Sequence, residues 1–188
     1  MMANVILICL FIASFLIYRY VALHISHQYG AEIKGEPTIL KDHTGFILAI
    51  PQIGLALNVI IVFYSGTYKL FPLIIGFILI FVGMYFNLTV RKNLGKNWAP
   101  LPKTTEKQDL VTGGIYSKVR HPFYLSMLII FFGIAFISWN SYSLLFFILA
   151  TIGILIRIKK EENELIAKFK ENYEEYAKKT PMLIPKLK

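Results

Sequence analysis

The chain has 188 residues, of which 56% are hydrophobic and 16% are charged, and its formal net charge at pH 7 is +9. Soluble domains are usually about 45–50% apolar and about 25% charged, so this composition argues against a soluble domain and favours an integral membrane protein. The single cysteine, Cys9, excludes an internal disulfide and a thiolate metal cluster. The positive charge does not indicate nucleic acid, because no nucleic-acid-binding motif accompanies it.

Five apolar segments follow one another along the chain, and a helix needs roughly 20 apolar residues to span a bilayer. They predict transmembrane helices over residues 4–23, 46–65, 70–90, 123–138 and 142–158. The short turn "YSGTYK" joins the second and third segments into a hairpin. The last two segments are shorter, and "SWNSY" between them predicts a tight helical hairpin with Trp139 and Tyr142 at the membrane interface.

The positions of the basic residues support the count of five spans. With five spans, every lysine and arginine except Lys69 lies on the same side of the membrane. The positive-inside rule makes this side cytoplasmic, so we expect an outside N-terminus and a cytoplasmic C-terminus. We therefore divide the chain into two parts. Residues 1–90 are predicted to form three N-terminal transmembrane helices, and residues 91–188 contain most of the cytoplasmic polar residues and the expected functional site.

The segment after the last span has apolar residues at helical spacing with charged residues between them. The apolar set is Leu165, Ile166, Phe169, Tyr173 and Tyr176. This pattern predicts a C-terminal amphipathic helix, which Pro181 and Pro185 end because proline cannot continue a helix. The predicted fold is all-α: a polytopic membrane protein with about five transmembrane helices and this amphipathic helix.

Arg120, His121 and Pro122 stand directly before a long apolar segment. Proline suits the first turn of a helix, and the residue before it is pushed away from helical geometry, so His121 should project from the helix start. Helix N-termini present unpaired N–H groups that attract anions, and Arg120 would strengthen this effect. The simpler alternative is that Arg120 and His121 only mark the membrane boundary.

Arg157 and Glu161 are four residues apart, which places them on the same face of a helix. Arg157 follows an apolar run and lies at membrane depth or just above it, where ionisable residues are functional candidates. The simpler alternative is a snorkelling arginine with a surface ion pair worth a few tenths of a kcal/mol.

The segments "LVTGGIYSKVRHPFY" and "RIKKEENELIAKFKENYEEYAKKTPMLIP" resemble the isoprenylcysteine carboxyl methyltransferase family and its prokaryotic relatives. Members of that family are multispanning membrane enzymes that use S-adenosylmethionine. The resemblance covers roughly the C-terminal half, from "LGKNW" (94–98) onward, and its two motifs are linked by the predicted helical hairpin.

The resemblance implies a binding site for S-adenosyl-L-methionine, released as S-adenosyl-L-homocysteine, and no metal. The cofactor contacts that it implies are Gln108, Asp109, Leu110, Val111, Tyr116, His121, Pro122, Phe123, Tyr124 and Glu161. Family members commonly have a histidine where Gln108 stands, and glutamine keeps the ability to form hydrogen bonds. Arg157 is implied as the catalytic and substrate-binding residue, because it stands where the family holds the carboxylate of the acceptor.

The function that the resemblance implies is methyl transfer to a lipophilic acceptor, first of all the carboxylate of an isoprenylcysteine-like substrate. A carboxylate is already ionised at neutral pH, so its methylation needs no general base. Phospholipid N-methylation and O-methylation of another lipophilic hydroxyl remain open, and there Tyr116 or Glu161 would take up the proton. The non-enzyme alternative is a membrane scaffold with a degenerate cofactor site. Expected partners are the bilayer and a lipophilic or prenylated acceptor, but not nucleic acid.

Overall fold

The computed structural model describes residues 2–28, 43–97 and 109–185. Its helices are α1 (Met2–Gln28), α2 (His43–Ser65), α3 (Leu70–Leu94), α4 (Pro122–Ser138), α5 (Ser141–Phe169) and α6 (Glu171–Lys179). Short 3₁₀ turns occur at Gly95–Asn97 and Gly114–Ser117. No strand occurs within these described ranges, and the predicted all-α class is confirmed.

Four of the described helices, namely α1, α2, α3 and α5, are long and apolar enough to cross a bilayer. The apolar helix α4 has 17 residues, which is the lower limit for a span and corresponds to about 26 Å of helix. The chain is thus a polytopic membrane protein, as predicted.

Glycines allow α3 and α4 to pack more extensively than any other pair of described helices. Gly76 and Gly83 on α3 and Gly133 on α4 all lie at this contact, and a Cβ atom at Gly133 would be 2.8 Å from the carbonyl oxygen of Gly76. Small residues at such contacts let the backbones of membrane helices approach closely. The main partner of α5 is α2 rather than its neighbour α4.

Tight turns connect the helices of both predicted hairpins, as expected. The helices of each hairpin, however, pack mainly against other helices. In the turn between α4 and α5, Trp139 adopts a left-handed backbone conformation (φ 41°), and Asn140 and Ser143 form a reciprocal cap at the start of α5. A tight turn also joins α2 and α3, where the rings of Phe63 and Phe77 stack 6.4 Å apart. Helix α2 nevertheless packs mainly against α5, and α3 packs mainly against α4.

The C-terminal segment differs from the single amphipathic helix that the sequence predicts. Helix α5 continues from the membrane region to Phe169 without a break. Lys170 then has φ 48°, a conformation that glycine adopts more readily, and α6 begins at Glu171. The sequence gives no signal for this break, because lysine is an ordinary helix former.

The chain after α6 pairs with the start of α4. The backbone N–H of Arg120 donates to the carbonyl of Pro181 at 2.9 Å, and the N–H of His121 donates to the carbonyl of Met182 at 3.0 Å. These two bonds hold the C-terminal segment against the helix start that the sequence analysis singled out.

Substitution of Gly133 by alanine should destabilise the protein by about 1–3 kcal/mol, because the new methyl group would collide with the backbone of Gly76 and with Ile80. Thermal unfolding in detergent measures this loss. Gly113→Ala is the matched control, since a Cβ atom there meets nothing within 4 Å. Equal melting temperatures for the two variants would contradict the close contact between α3 and α4.

Candidate functional site

A cavity of about 690 Å³ lies at the end of the bundle where α4 begins and α5 ends. This volume is within the range of about 300–1,000 Å³ that is typical of small-molecule sites. All six helices contribute residues to its wall. One part of the wall is apolar and consists of Phe15, Leu16, Leu23, Leu48, Met127, Ile130 and Phe131.

Most of the predicted site residues line this cavity. They are Asp109, Leu110, Val111, Tyr116, His121, Phe123, Tyr124, Arg157 and Glu161. Pro122 occupies the first position of α4 and is buried, but it does not belong to the wall. Gln108 lies outside the described residues. The structure therefore brings two distant sequence motifs to one cavity, although their roles remain predictions.

The loop before α4 reaches the cavity at its rim. The carboxylate of Asp109 pairs with the ammonium of Lys96 at 3.0 Å, and both side chains are exposed. The backbone N–H of Asp109 donates to the side-chain oxygen of Asn97 at 2.9 Å. Leu110 and Val111 follow directly and line the wall.

Tyr124, Arg157 and Glu161 form one group on the cavity wall. The hydroxyl of Tyr124 donates to Oε2 of Glu161 at 2.8 Å, and the guanidinium of Arg157 lies near the same tyrosine side chain. The spacing of four residues puts Arg157 and Glu161 on one face of α5, as the sequence predicts. The carboxylate of Glu161 and the guanidinium of Arg157 thus line the same cavity, with the phenol of Tyr124 next to both.

Glu162, which the sequence analysis did not select, is the centre of a denser group. Its Oε1 lies 2.9 Å and 2.6 Å from Nε and Nη2 of Arg120, 3.0 Å from Nε2 of His121 and 3.2 Å from the hydroxyl of Tyr173. Hydrogen bonds that involve a charged group are the strong ones in proteins. Glu162 therefore joins the start of α4 to both α5 and α6.

The Arg120 side chain is fully engaged within the protein. Besides Glu162, its Nη1 donates to the carbonyls of Ala177 at 2.9 Å and Thr180 at 2.6 Å. The sequence analysis expected Arg120 to help the start of α4 attract an anion. In the structure, the anion next to Arg120 is the carboxylate of Glu162.

Three tyrosines outside the membrane-spanning segments surround this end of the cavity. Burial, together with the nearby Glu161 carboxylate, raises the pKa of Tyr116 well above its ordinary value of 10.0. Burial also raises the pKa of Tyr173, to which Glu162 adds, and it raises the pKa of Tyr176 to about 12. All three phenols therefore stay protonated at neutral pH, and the hydroxyls of Tyr173 and Tyr176 donate to Oε1 of Glu162 and to the backbone carbonyl of Tyr116. Tyr116 is accordingly a poor proton acceptor.

A polar network that the sequence analysis missed connects α1, α3 and α4, and Tyr18, Asn87 and Arg91 of this network line the cavity. The side-chain oxygen of the fully buried Asn87 accepts hydrogen bonds from the hydroxyl of Tyr18 at 2.7 Å and from Nε of Arg91 at 2.9 Å. Its amide nitrogen donates to the hydroxyl of Ser126 at 2.7 Å. An ionisable residue such as Arg91 on an apolar helix long enough to span a bilayer is a functional candidate by default.

Arg91 also contacts two other helices. Its Nη1 donates to the hydroxyl of Ser26 on α1 at 3.1 Å, and its guanidinium lies 5.2 Å from the ring centre of Phe123 on α4. The spacing of four residues between Asn87 and Arg91 is a signal that could have revealed this pair, since it puts both on one helix face. The partners on α1 and α4 could not be found in this way.

These features define a class: polytopic helical membrane proteins that enclose a small-molecule cavity with one polar and one apolar part. Residues 71–172 match the model of the phospholipid methyltransferase family, so the chain belongs to that family. The matched range runs from the start of α3 to the start of α6 and contains Arg120, His121, Arg157 and Glu161.

Individual relatives agree with this assignment. The chain is 34% identical over 107 residues to the protein-S-isoprenylcysteine O-methyltransferase of Schizosaccharomyces pombe, covering 55% of the chain and 45% of that protein. It is 30% identical over 159 residues to the enzyme of the same name from Dictyostelium discoideum, covering 79% and 67%. It is 38% identical over 80 residues to methanethiol S-methyltransferase 2 of Bradyrhizobium diazoefficiens, covering 43% and 30%. The predicted kinship with isoprenylcysteine carboxyl methyltransferases is confirmed.

A solved structure shares the fold. The eukaryotic intramembrane Ras methyltransferase ICMT (isoprenylcysteine carboxyl methyltransferase) superposes with a TM-score of 0.61 at 22% identity. The superposition covers 73% of this chain and 51% of that protein. The chain spans less than half the length of the S. pombe and B. diazoefficiens relatives.

Replacement of Arg120 by methionine should destabilise the protein by about 1.5–3 kcal/mol, because charged hydrogen bonds to Glu162 are lost. The double variant Arg120→Met/Glu162→Leu should recover part of this loss, since no partly buried charge is left without its partner. Denaturant or thermal unfolding in detergent measures both variants and the single variant Glu162→Leu, with the exposed Lys118→Met as the control. Strictly additive losses would show that the two side chains are not coupled.

Proposed function

We propose that the protein is an integral membrane methyltransferase that uses S-adenosyl-L-methionine to methylate a lipophilic acceptor, foremost the carboxylate of an isoprenylcysteine-like substrate. One observation carries this proposal. A single cavity combines the carboxylate of Glu161, the guanidinium of Arg157 and an apolar wall. The chain also belongs to a family, and has relatives, whose names describe methyl transfer.

The side chains of the polar part suit the methyl donor. Glu161 offers a carboxylate to the ammonium or to the ribose hydroxyls of the donor, and it is one-third exposed. Leu110, Val111 and Phe123 offer apolar surface to the adenine ring. The same proposed subsite includes Asp109, Tyr116, His121, Pro122 and Tyr124. Gln108, which lies outside the described residues, is assigned to it by the family resemblance alone.

When bound, the donor supplies an electrophilic methyl group on its sulfonium, so the protein has to align a nucleophile with that group and exclude water. The phenols of Tyr116, Tyr173 and Tyr176 line this end of the cavity and stay protonated. Helix α6 carries two of them, and it and the following Thr180 are bonded to Tyr116 and Arg120 in the segment before α4.

Arg157 suits the acceptor. A guanidinium presents a planar fork of N–H donors that matches the geometry of a carboxylate. Its contact with Tyr124 orients it toward the space that Glu161 also faces. The apolar part of the wall would take the hydrocarbon chain, which can reach it from the bilayer. A carboxylate acceptor is ionised at neutral pH, so alignment replaces acid–base chemistry.

We also propose that the cavity and the C-terminus face the cytoplasm and that the N-terminus is outside. The support for this orientation is the positive-inside rule, because the five-span arrangement predicts every lysine and arginine except Lys69 on one side of the membrane. Residues 91–188 then carry the catalytic half, to which α1 and α2 add part of the acceptor wall.

A second candidate acceptor is a phospholipid amine, because the family is described as phospholipid methyltransferases. An ammonium headgroup must lose a proton before it can attack, and among the residues of the described wall Glu161 is well placed to accept it. Tyr116 is not, because burial keeps its phenol protonated. A screen of prenylcysteine, phosphatidylethanolamine and lipophilic phenol acceptors separates these readings, whereas absence of donor binding would favour a scaffold.

Glu161→Gln should weaken the binding of S-adenosylhomocysteine by about 10- to 150-fold, the effect of losing a hydrogen bond to a charged group. Isothermal titration calorimetry of the detergent-solubilised protein measures this change. Glu175→Gln on the exposed surface of α6 is the matched control and should bind as the wild type does. Unchanged affinity of the Glu161 variant would remove this residue from the site.

Arg157→Ala should leave S-adenosylhomocysteine binding nearly intact but lower turnover of a farnesylated cysteine acceptor by about 10²- to 10³-fold. Transfer of a radiolabelled methyl group to the acceptor measures the turnover. Lys159→Ala removes an exposed cation two residues away and serves as the control. If the Arg157 variant turned over at the wild-type rate, Arg157 would be only a membrane anchor.

A further inference from the structure

We propose that Glu162 fixes His121 in the tautomer that carries its proton on Nε2, so that Nδ1 of His121 and the carboxylate of Glu161 form one acceptor pair for a primary ammonium group. This inference rests on the proposed function, in which the ammonium is that of the methyl donor. It gives Glu162 the role of a positioning residue rather than a ligand.

The hydrogen bonds of Glu162 determine the tautomer. Its Oε1 already accepts from two nitrogens of Arg120 and from the hydroxyl of Tyr173. A carboxylate that faces a guanidinium is ionised and can only accept hydrogen bonds. Nε2 of His121, 3.0 Å from the same oxygen, must therefore be the donor, which leaves the lone pair of a neutral ring on Nδ1.

The ring of His121 has little freedom to turn away from this contact. The side chain is almost fully buried, with a relative exposure of 2%. The backbone is held on both sides, because its N–H donates to Met182 and its carbonyl accepts from the N–H of Leu125 at 3.1 Å. The first bond joins the start of α4 to the C-terminal segment and the second is the first backbone bond of α4 itself, so the backbone that carries the ring is fixed on both sides.

The separation between Nδ1 of His121 and the carboxylate of Glu161 suits one bridging donor nitrogen. Nδ1 lies 3.9 Å from Oε1 of Glu161, which is too far for a direct hydrogen bond. One nitrogen about 2.9 Å from each atom would reach both. The other oxygen of Glu161 already accepts from Tyr124, so Oε1 is the atom turned toward His121. Both residues line the cavity.

Nδ1 of His121 and the carboxylate of Glu161 together favour a cation over an anion. Two acceptor atoms, one of them on a carboxylate, would repel the carboxylate end of the donor, whereas an ammonium has three N–H donors to offer. Arg120, the cation close to the start of α4, is neutralised by Glu162. Arg157, the other cation near Glu161, holds the carboxylate of the acceptor on the proposed function, so neither cation reverses this preference. The structure thus assigns the ammonium, not the carboxylate, of the donor to the start of α4.

The first test is the tautomer itself, measured without ligand. The chain has four histidines, so the triple variant His24→Gln/His27→Gln/His43→Gln leaves His121 as the single one. Two-bond ¹⁵N–¹H correlations of the ¹⁵N-histidine-labelled protein in detergent, at about pH 8 and thus above the usual histidine pKa of about 6.5, distinguish the tautomers. We expect a proton on Nε2 and none on Nδ1. A proton on Nδ1, in a neutral or a cationic ring, would overturn the proposal.

The second test compares S-adenosylhomocysteine with its analogue that lacks the amino group. Wild-type protein should prefer the amine by about tenfold or more, because the analogue leaves both acceptors unpaired. Glu162→Ala should abolish this preference by weakening the amine alone, and Glu162→Gln, which keeps a carbonyl acceptor, should restore part of it.

The outcomes of the second test separate the two proposals. Equal affinities of the wild type for both ligands would overturn the ammonium site while leaving the methyltransferase function intact. Equal weakening of both ligands by Glu162→Ala would make Glu162 purely structural. If the wild type bound neither ligand, the proposed function itself would fail. The ammonium assignment would then fail with it, whichever tautomer the first test had found.

Discussion

The ion pair between Arg120 and Glu162 is the interaction on which the site end of the molecule depends. A single carboxylate oxygen receives the guanidinium from the loop before α4, an imidazole from the start of α4 and a phenol from α6. Two parts of the chain that are distant in sequence, one with Arg120 and His121 and the other with Glu162 and Tyr173, meet at this atom. Without it, Arg120 would lose the partner that lets its cation lie partly buried beside the backbone of the C-terminal segment.

The membrane part of the bundle supplies a rigid frame for this junction. The glycines of α3 and α4 bring the two backbones into direct contact, so the start of α4 is fixed relative to the end of α3. The network around Asn87 then ties α1 to the same pair of helices. The cavity remains between these fixed elements because α5, which packs mainly on α2, forms its other side.

Local rules predict part of this arrangement from the sequence. Steric restriction before Pro122 places His121 just outside α4, and helical periodicity puts Arg157 and Glu161 on one face. The same rules cannot decide which of the two adjacent carboxylates faces the cavity. Successive residues point about 100° apart on a helix, so the choice between Glu161 and Glu162 depends on how α5 is rotated against its partners. Those partners, like Tyr18 beside Asn87, come from distant parts of the chain.

The cavity wall combines residues from inside and from before the range that matches the family. Arg157, Glu161 and His121 lie within the range that matches the family, whereas Phe15, Leu16, Leu23 and Leu48 lie before it. On the proposed function, the shared range holds the methyl donor, and the N-terminal helices shape the pocket for the acceptor. Substitutions in α1 and α2 can then alter which acceptor is received without disturbing the chemistry. A common ancestor could in this way give rise to enzymes with acceptors as different as isoprenylcysteine and methanethiol, the two that the names of the relatives record.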